Sequence, residues 1–281
     1  MVLLLMSARA DCTGSRFPYG TGVAAPIAFV TDFGAVDTYA AALAAACWRV
    51  DPSLHALTGM HGVPPGDVLA GAYHAKALAR ALPAGSVLCA VVDPGVGTAR
   101  DAIAVAAGDI LAVGPDNGLL SYVWSEAPPQ TRRCVSLPVP RDAAATFHGR
   151  DVFAPCAARL AAGARLDDAG LARGDPLLHA DAFARRDNGV VTGVVCVVDG
   201  FGNAVTTVRD VDVHADEVIA AEWAGGGTAL VVRTYAEIPI GALALLLGSA
   251  GHWEIAAQQR AAADLGGPPP GAALRMQVRL R

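Results

Sequence analysis

Lysine is nearly absent from this sequence. Lys76 is the only one among 281 residues, and the other basic side chains are arginines scattered along the chain. Charged residues make up 17% against the usual quarter, and the formal net charge is −5. A nucleic-acid binder needs a clustered basic footprint, so nucleic acid is not expected as a partner. The six cysteines, at positions 12, 47, 89, 134, 156 and 196, are widely separated. That spacing excludes the C-x-x-C zinc and redox patterns and offers no disulfide framework, so they read as small buried hydrophobes. Long apolar runs are missing too. The stretch Ile238 to Trp253 is uncharged but holds Pro239 and three glycines, and it falls short of the ~20 residues a membrane span needs. No positive charge precedes the short apolar run Val2 to Met6, so a secretory signal is not expected. Residues 1–26 read as an N-terminal extension and the protein as cytoplasmic.

What is present is apolar. Hydrophobic residues are 53% of the chain and mean hydropathy is +0.41, enough for a large core. Ile27 to Val30 and Ser86 to Val92 read as buried strands, and Ala102 to Ala106 with Ile110 to Val113 as a hairpin around Gly108-Asp109. Thr38 to Trp48, Gly71 to Leu82 and Gly149 to Ala162 read as helices, the last despite Pro155. This alternation predicts an α/β domain with a mostly parallel sheet over 27–185. Beyond the polar stretch Arg185 to Gly189, short β runs at 190–198, 217–222, 228–233, 243–247 and 273–280 predict a smaller all-β, barrel-like domain over 186–281.

In so apolar a chain, acids at strand ends invite attention. Asp32, Asp93, Asp116-Asn117, and Asp199 with Asn203 each follow a predicted strand. Open α/β sheets bind ligands at the carboxyl ends of their strands. Each Asp taken alone is explained as well by capping or an Asx turn. The string Val91 to Arg100 is glycine-containing but lacks the P-loop and G-x-G-x-x-G patterns, which leaves a tight turn holding Asp93 near Arg100. His148, between Phe147 and Gly149, sits at a predicted helix start, where the backbone is partly positive.

Together, Thr31 to Gly34, Val91 to Arg100, Pro115 to Gly118, Thr146 to Asp151, Asp199 to Asn203 and Gly248 to Ala256 resemble the S-adenosyl-L-methionine (SAM) hydroxide adenosyltransferases. These adenosine-forming SAM hydrolases are related to fluorinase and chlorinase. The resemblance runs in order from about residue 27 to 260. It implies a homotrimer with SAM held between the N-terminal domain of one subunit and the C-terminal domain of the next. It implies a catalytic set of Asp93, Arg100 and His148 that serves an attacking water. It implies Asp32 on the ribose diol, Asp199 and Ser249 on the methionine end, and Phe201 and Asn203 on adenine. Tyr235 is implied as a stacking partner of the base and Phe147 as a ribose wall. The halogenating relatives carry Tyr where Asp93 stands, and the fluorinase carries Ser where Gly149 stands, so Asp93 argues for water over halide. They also carry Trp where Gly66 stands in Pro65-Gly66-Asp67-Val68, which leaves one pocket wall open or supplied from elsewhere.

The chemistry implied is SN2 attack of an activated water at ribose C5′, yielding adenosine and L-methionine. A sulfonium leaves as a neutral thioether, so no general acid, metal or second cofactor is expected. Either Asp93 or His148 could be the final proton acceptor. Two alternatives stand beside this reading: a chlorinase-like halide adenosyltransferase, and a non-catalytic SAM or adenosine sensor.

Overall fold

Strand β1 (Ile27–Thr31) is buried at every position, as a strand covered on both faces must be. The computed structural model to which it belongs describes residues 24–223 and 227–279. The expected extension through residue 23, Cys12 and the end of the last expected strand at Leu280 lie outside them. β1 is followed by helix α1 (Tyr39–Val50), β2 (Ala56–Met60), α2 (Val68–Ala81) and β3 (Val87–Val91). Next come the hairpin β4 (Ala102–Ala107) and β5 (Ile110–Pro115), then α3 (Ser121–Glu126) and β6 (Arg133–Ser136). Helices α4 (Ala154–Ala161) and α5 (Leu166–Ala169) precede β7 (Leu171–Arg173).

The sheet order is β2-β1-β3-β5-β4-β6-β7. β2, β1, β3 and β5 run parallel, while β4 opposes β5 and β6 and β7 extend the edge by antiparallel pairing. Side chains alternate between two cores. Val87, Cys89 and Val91 join Leu43 and Cys47 of α1 and Phe153 and Ala157 beside or within α4. Leu88, Ala90 and Val92 join Ala70 and Ala75 of α2 and Val123 and Trp124 of α3. Successive strand side chains point to opposite faces, and that places helices on both.

The chain leaves β1 for β2 on one side and returns to place β3 on the other. β1 and β3 are therefore neighbours with Thr31 opposite Val91, and the order of strands reverses between them. A crevice opens at such a switch point, and Asp32 and Asp93 lie just beyond its two strand ends.

The second part begins with β8 (Arg185–Asp187), β9 (Val190–Val198) and β10 (Ala204–Arg209). It continues through β11 (Val218–Trp223), β12 (Gly227–Val231), β13 (Leu243–Leu247), β14 (His252–Ala257) and β15 (Ala273–Val278). The order β10-β14-β13-β12-β11-β15-β9 closes on itself through β9–β10, a seven-stranded barrel with β8 paired on β9. Val191, Trp223, Leu245, Trp253, Ile255, Leu274 and Met276 fill it.

Six strands escape the sequence pattern: β2, β6, β7, β8, β10 and β14 are short or carry polar residues. The helix expected from Gly149 opens instead as a π-helical turn, Gly149–Phe153, before α4. Pro155 has no N–H to donate, and the Ala154 N–H bonds one residue farther back than in an α-helix, to the Gly149 carbonyl. The five described cysteines are buried and free. No helix among the described residues is long and apolar enough to cross a membrane.

Candidate active site

The strand β3 delivers Asp93, and a tight turn brings Arg100 back over it. Arg100 Nε donates to Asp93 Oδ1 at 2.9 Å, and Nη2 donates to Oδ2. The same Nη2 lies 3.0 Å from His148 Nδ1. A guanidinium only donates, so Nδ1 must be the unprotonated nitrogen. His148 is then the neutral tautomer with its proton on Nε2. Burial first, and the Arg100 charge second, lower the His148 pKa from its ordinary value. Both side chains of the ion pair are mostly shielded, 10% exposed for Arg100 and 6% for Asp93. Such a fork fixes the plane of the carboxylate as well as its position.

Two further contacts hold this set in place. Gly97 takes φ +76°, and a Cβ there would come within 2.7 Å of the Ala145 carbonyl oxygen. The 93–100 turn can thus press against the segment that carries His148. Asn117 Nδ2 donates to the Val92 carbonyl at 2.9 Å, and its Oδ1 accepts from Leu119 N–H at 3.1 Å. Its neighbour Asp116 has a different use: it accepts from Leu177 N–H at 2.7 Å and pairs with Arg173 at 2.8 Å. Asp116 therefore ties down the strand β7 region.

Asp32 lies across the crevice from Asp93. Its Oδ2 accepts from the Gly66 N–H at 2.8 Å. Gly66 takes φ +73°, a conformation that glycine adopts without strain and that turns its amide to the carboxylate. Behind Asp32, Thr31 Oγ1 contacts His61 Nδ1 at 2.8 Å. Phe147 packs edge-on to Phe33 and Tyr39, with ring centroids 5.7 and 5.3 Å away. These rings form an apolar wall next to His148.

The barrel carries the remaining predicted residues. In the β9–β10 turn, Asp199 Oδ1 accepts from Phe201 and Asn203 N–H groups, both at 2.9 Å, and Oδ2 accepts from Asn203 Nδ2 at 3.0 Å. Asn203 is buried, whereas the Phe201 ring is 85% exposed. Ser249 is exposed on the β13–β14 turn. Tyr235, 46% exposed, donates its hydroxyl hydrogen to Glu254 Oε1. Glu254 is buried, and its pKa is raised by that burial, with the Asp199 charge adding to it. Sequence reasoning passed over Glu254 as a site residue, and over Gly66 as a donor. The available signal was a lone acid inside the otherwise apolar run Trp253 to Ala257. No group of three or more His, Cys, Asp or Glu among the described residues is arranged to hold a metal ion.

Residues 27–170 match the SAM hydroxide adenosyltransferase N-terminal domain, and residues 193–275 match the corresponding C-terminal domain. The chain is 38% identical over 263 residues to the (R)-S-adenosyl-L-methionine hydrolase of Thermus thermophilus, covering 89% of this chain and 99% of that one. It is 40% identical over 272 residues to the protein of the same name from Salinispora tropica, covering 89% and 97%. A fluorinase of Actinoplanes sp. is more distant, 28% identical over 220 residues, with 67% and 73% covered. Among solved structures, an uncharacterized conserved protein from Thermotoga maritima superposes with TM-score 0.79 at 28% identity, covering 89% of this chain and 99% of that one. Matched across both of its halves and by full-length relatives, this chain belongs to the SAM hydroxide adenosyltransferase family.

Proposed function

We propose that this protein hydrolyses S-adenosyl-L-methionine to adenosine and L-methionine by attack of an activated water at ribose C5′. The observation that carries the reading is the shared guanidinium: Arg100 Nη2 reaches both Asp93 Oδ2 and His148 Nδ1. With Nδ1 engaged and Nε2 protonated, His148 is set to donate a hydrogen bond to the nucleophilic oxygen. Asp93 keeps free lone pairs and takes the water proton. The bond that forms is O–C5′, the bond that breaks is C5′–S, and the pair goes to sulfur as the neutral thioether. Hydroxide and sulfonium neutralise each other, so a shielded pocket favours the step. No metal or second cofactor is called for, and SAM is the substrate.

In this reading Asp32 binds the ribose diol and Phe147 walls the sugar. Asp199 and Ser249 take the methionine end, Asn203 and Phe201 contact adenine, and Tyr235 stacks on it. We take residues 27–185 and 186–281 as the two units. An aromatic ring exposed to 85%, as Phe201 is, cannot enclose a base from one side. That supports a homotrimer in which a neighbouring subunit closes the site. The protein is placed in the cytoplasm, with neither nucleic acid nor membrane as partner. The names of the relatives designate the (R) form of the substrate, and we extend that preference to this chain.

Chromatography of SAM incubated with the protein, with and without high chloride, tests the proposal. Adenosine and methionine in equal amounts, indifferent to chloride, are expected. A chlorinated nucleoside would make it a halide adenosyltransferase. Bound but intact SAM would make it a sensor.

A further inference from the structure

On β14, Trp253 and Ile255 point into the barrel core. His252, Glu254 and Ala256 therefore share the opposite face. Ala256 packs there with Ile238, and Glu254 lies between two segments that carry proposed ligand contacts. One is the short helical turn Tyr235–Glu237, whose Tyr235 hydroxyl donates to Glu254 Oε1. The other is the β13–β14 turn, where a Cβ at Gly248 would collide with Glu254 Oε2. That turn is held by Gly248 N–H donating to the His252 carbonyl at 2.8 Å, and it presents Ser249. The charge of Asp199 is close enough to raise the pKa values of both Glu254 and Tyr235. A buried carboxylate is costly unless its hydrogen bonds are used, and this one sits 5% exposed where three proposed substrate contacts meet.

We propose that Glu254 is the positioning residue of the barrel's half of the SAM site, orienting the Tyr235 ring through its hydroxyl and filling the space beneath the Ser249 turn. The inference rests on the SAM hydrolase reading above. Glu254 does not touch the reacting atoms. Its effect falls on substrate binding, because a phenol anchored at its hydroxyl presents one ring orientation to a stacked base. A net hydrogen bond of this kind corresponds to roughly a five- to tenfold change in affinity.

The test is steady-state kinetics of SAM hydrolysis by the full protein, with thermal melting to confirm folding. Wild-type turnover comes first; its absence, together with absent SAM binding, would fail the hydrolase reading and this one with it. Given turnover, Glu254→Ala should raise KM roughly five- to tenfold with a much smaller change in kcat. Glu254→Gln keeps an acceptor oxygen for the Tyr235 hydroxyl and should recover most of the loss. Tyr235→Phe keeps the ring but not the anchor, and should reproduce the KM of Glu254→Ala. The double variant should be no worse than either single one, since both remove the same bond. If Glu254→Ala does not fold, Tyr235→Phe against Glu254→Gln carries the same comparison. Unchanged KM in the folded variants, additive effects, or no rescue by Gln would overturn the assignment.

Discussion

His148 shows how a contact selects a protonation state. Arg100 cannot accept, so it presses Nδ1 into the role of acceptor and leaves the proton on Nε2. Because its pKa is lowered, His148 stays neutral to below the ordinary histidine range, and activity should hold as pH falls through 6.5. The His148 contribution to the acid limb of kcat should therefore lie below that value; a limb at or above it would contradict the tautomer argument. Asp93→Asn keeps the size and an acceptor oxygen for one of the two Arg100 hydrogen bonds, but removes the proton acceptor. We expect kcat to fall by ~10²–10⁴ while SAM binding, measured by calorimetry, stays close to wild type. Wild-type turnover in that variant would remove Asp93 from the chemistry.

At the scale of elements, the site is a meeting of two turns, not a property of either one. The 93–100 turn reaches the 145–148 segment only because Gly97 has no side chain at φ +76°. An alanine in that backbone conformation costs about 1–2 kcal/mol, and here it also meets the Ala145 carbonyl. Gly97→Ala should therefore lower the melting temperature modestly and kcat severely, because the displaced turn carries Arg100. A variant with wild-type kcat and a lowered melting point would show that Arg100 does not depend on this approach. Much of this architecture was legible in advance. Continuous apolar runs announced β1 and β3, and Ala-rich periodic stretches announced α1 and α2. β14 was not legible, since His252 and Glu254 interrupt its apolar pattern while being buried against other parts of the chain. The π-helical turn was not legible either, because the choice between a kink and a shifted ladder at Pro155 is made by packing.

Across the whole molecule, α2 and α3 dock against the barrel through polar groups. Lys76 of α2 pairs with Glu126 of α3 at 2.8 Å, and Arg209 of β10 reaches the same Glu126 carboxylate at 3.7 Å. Arg80 of α2 donates to the Ala250 carbonyl at 3.1 Å. His252 lies among Tyr73 and Tyr122, its Nδ1 donating to the Thr206 carbonyl at 2.7 Å. Burial foremost, and then the Lys76 charge, lower its pKa from 6.5 to about 3. The unfolded chain would take up this proton below about pH 6.5, whereas the folded one would not until about pH 3. His252 thus contributes stability above pH 6.5 that is lost as pH falls toward 3, on the order of a few kcal/mol at the acid end. His252→Gln should flatten the fall of melting temperature with acid over that window. Parallel curves for variant and wild type would show that the histidine is already protonated when folded.

The sequence by itself determined the fold class, the family, and the residue types able to serve a water attack. The fold class is written in local pattern, as apolar runs of strand length and helical periodicity; the family and its water-serving residues are read from a resemblance carried by six short motifs in fixed order. Asp93 and Arg100 are close enough in the chain for a single turn to join them. The tertiary structure decided what depends on distant segments. It set the strand order that opens the crevice between Asp32 and Asp93, the tautomer of His148, and the separation of Asp116, a structural tie, from Asn117, which braces Val92. It also decided the place of Glu254, a single acid in an apolar strand until folding brings Tyr235 and the Ser249 turn around it. Hydrogen bonds between residues tens of positions apart leave no periodic trace in the chain, so only the folded molecule reveals them.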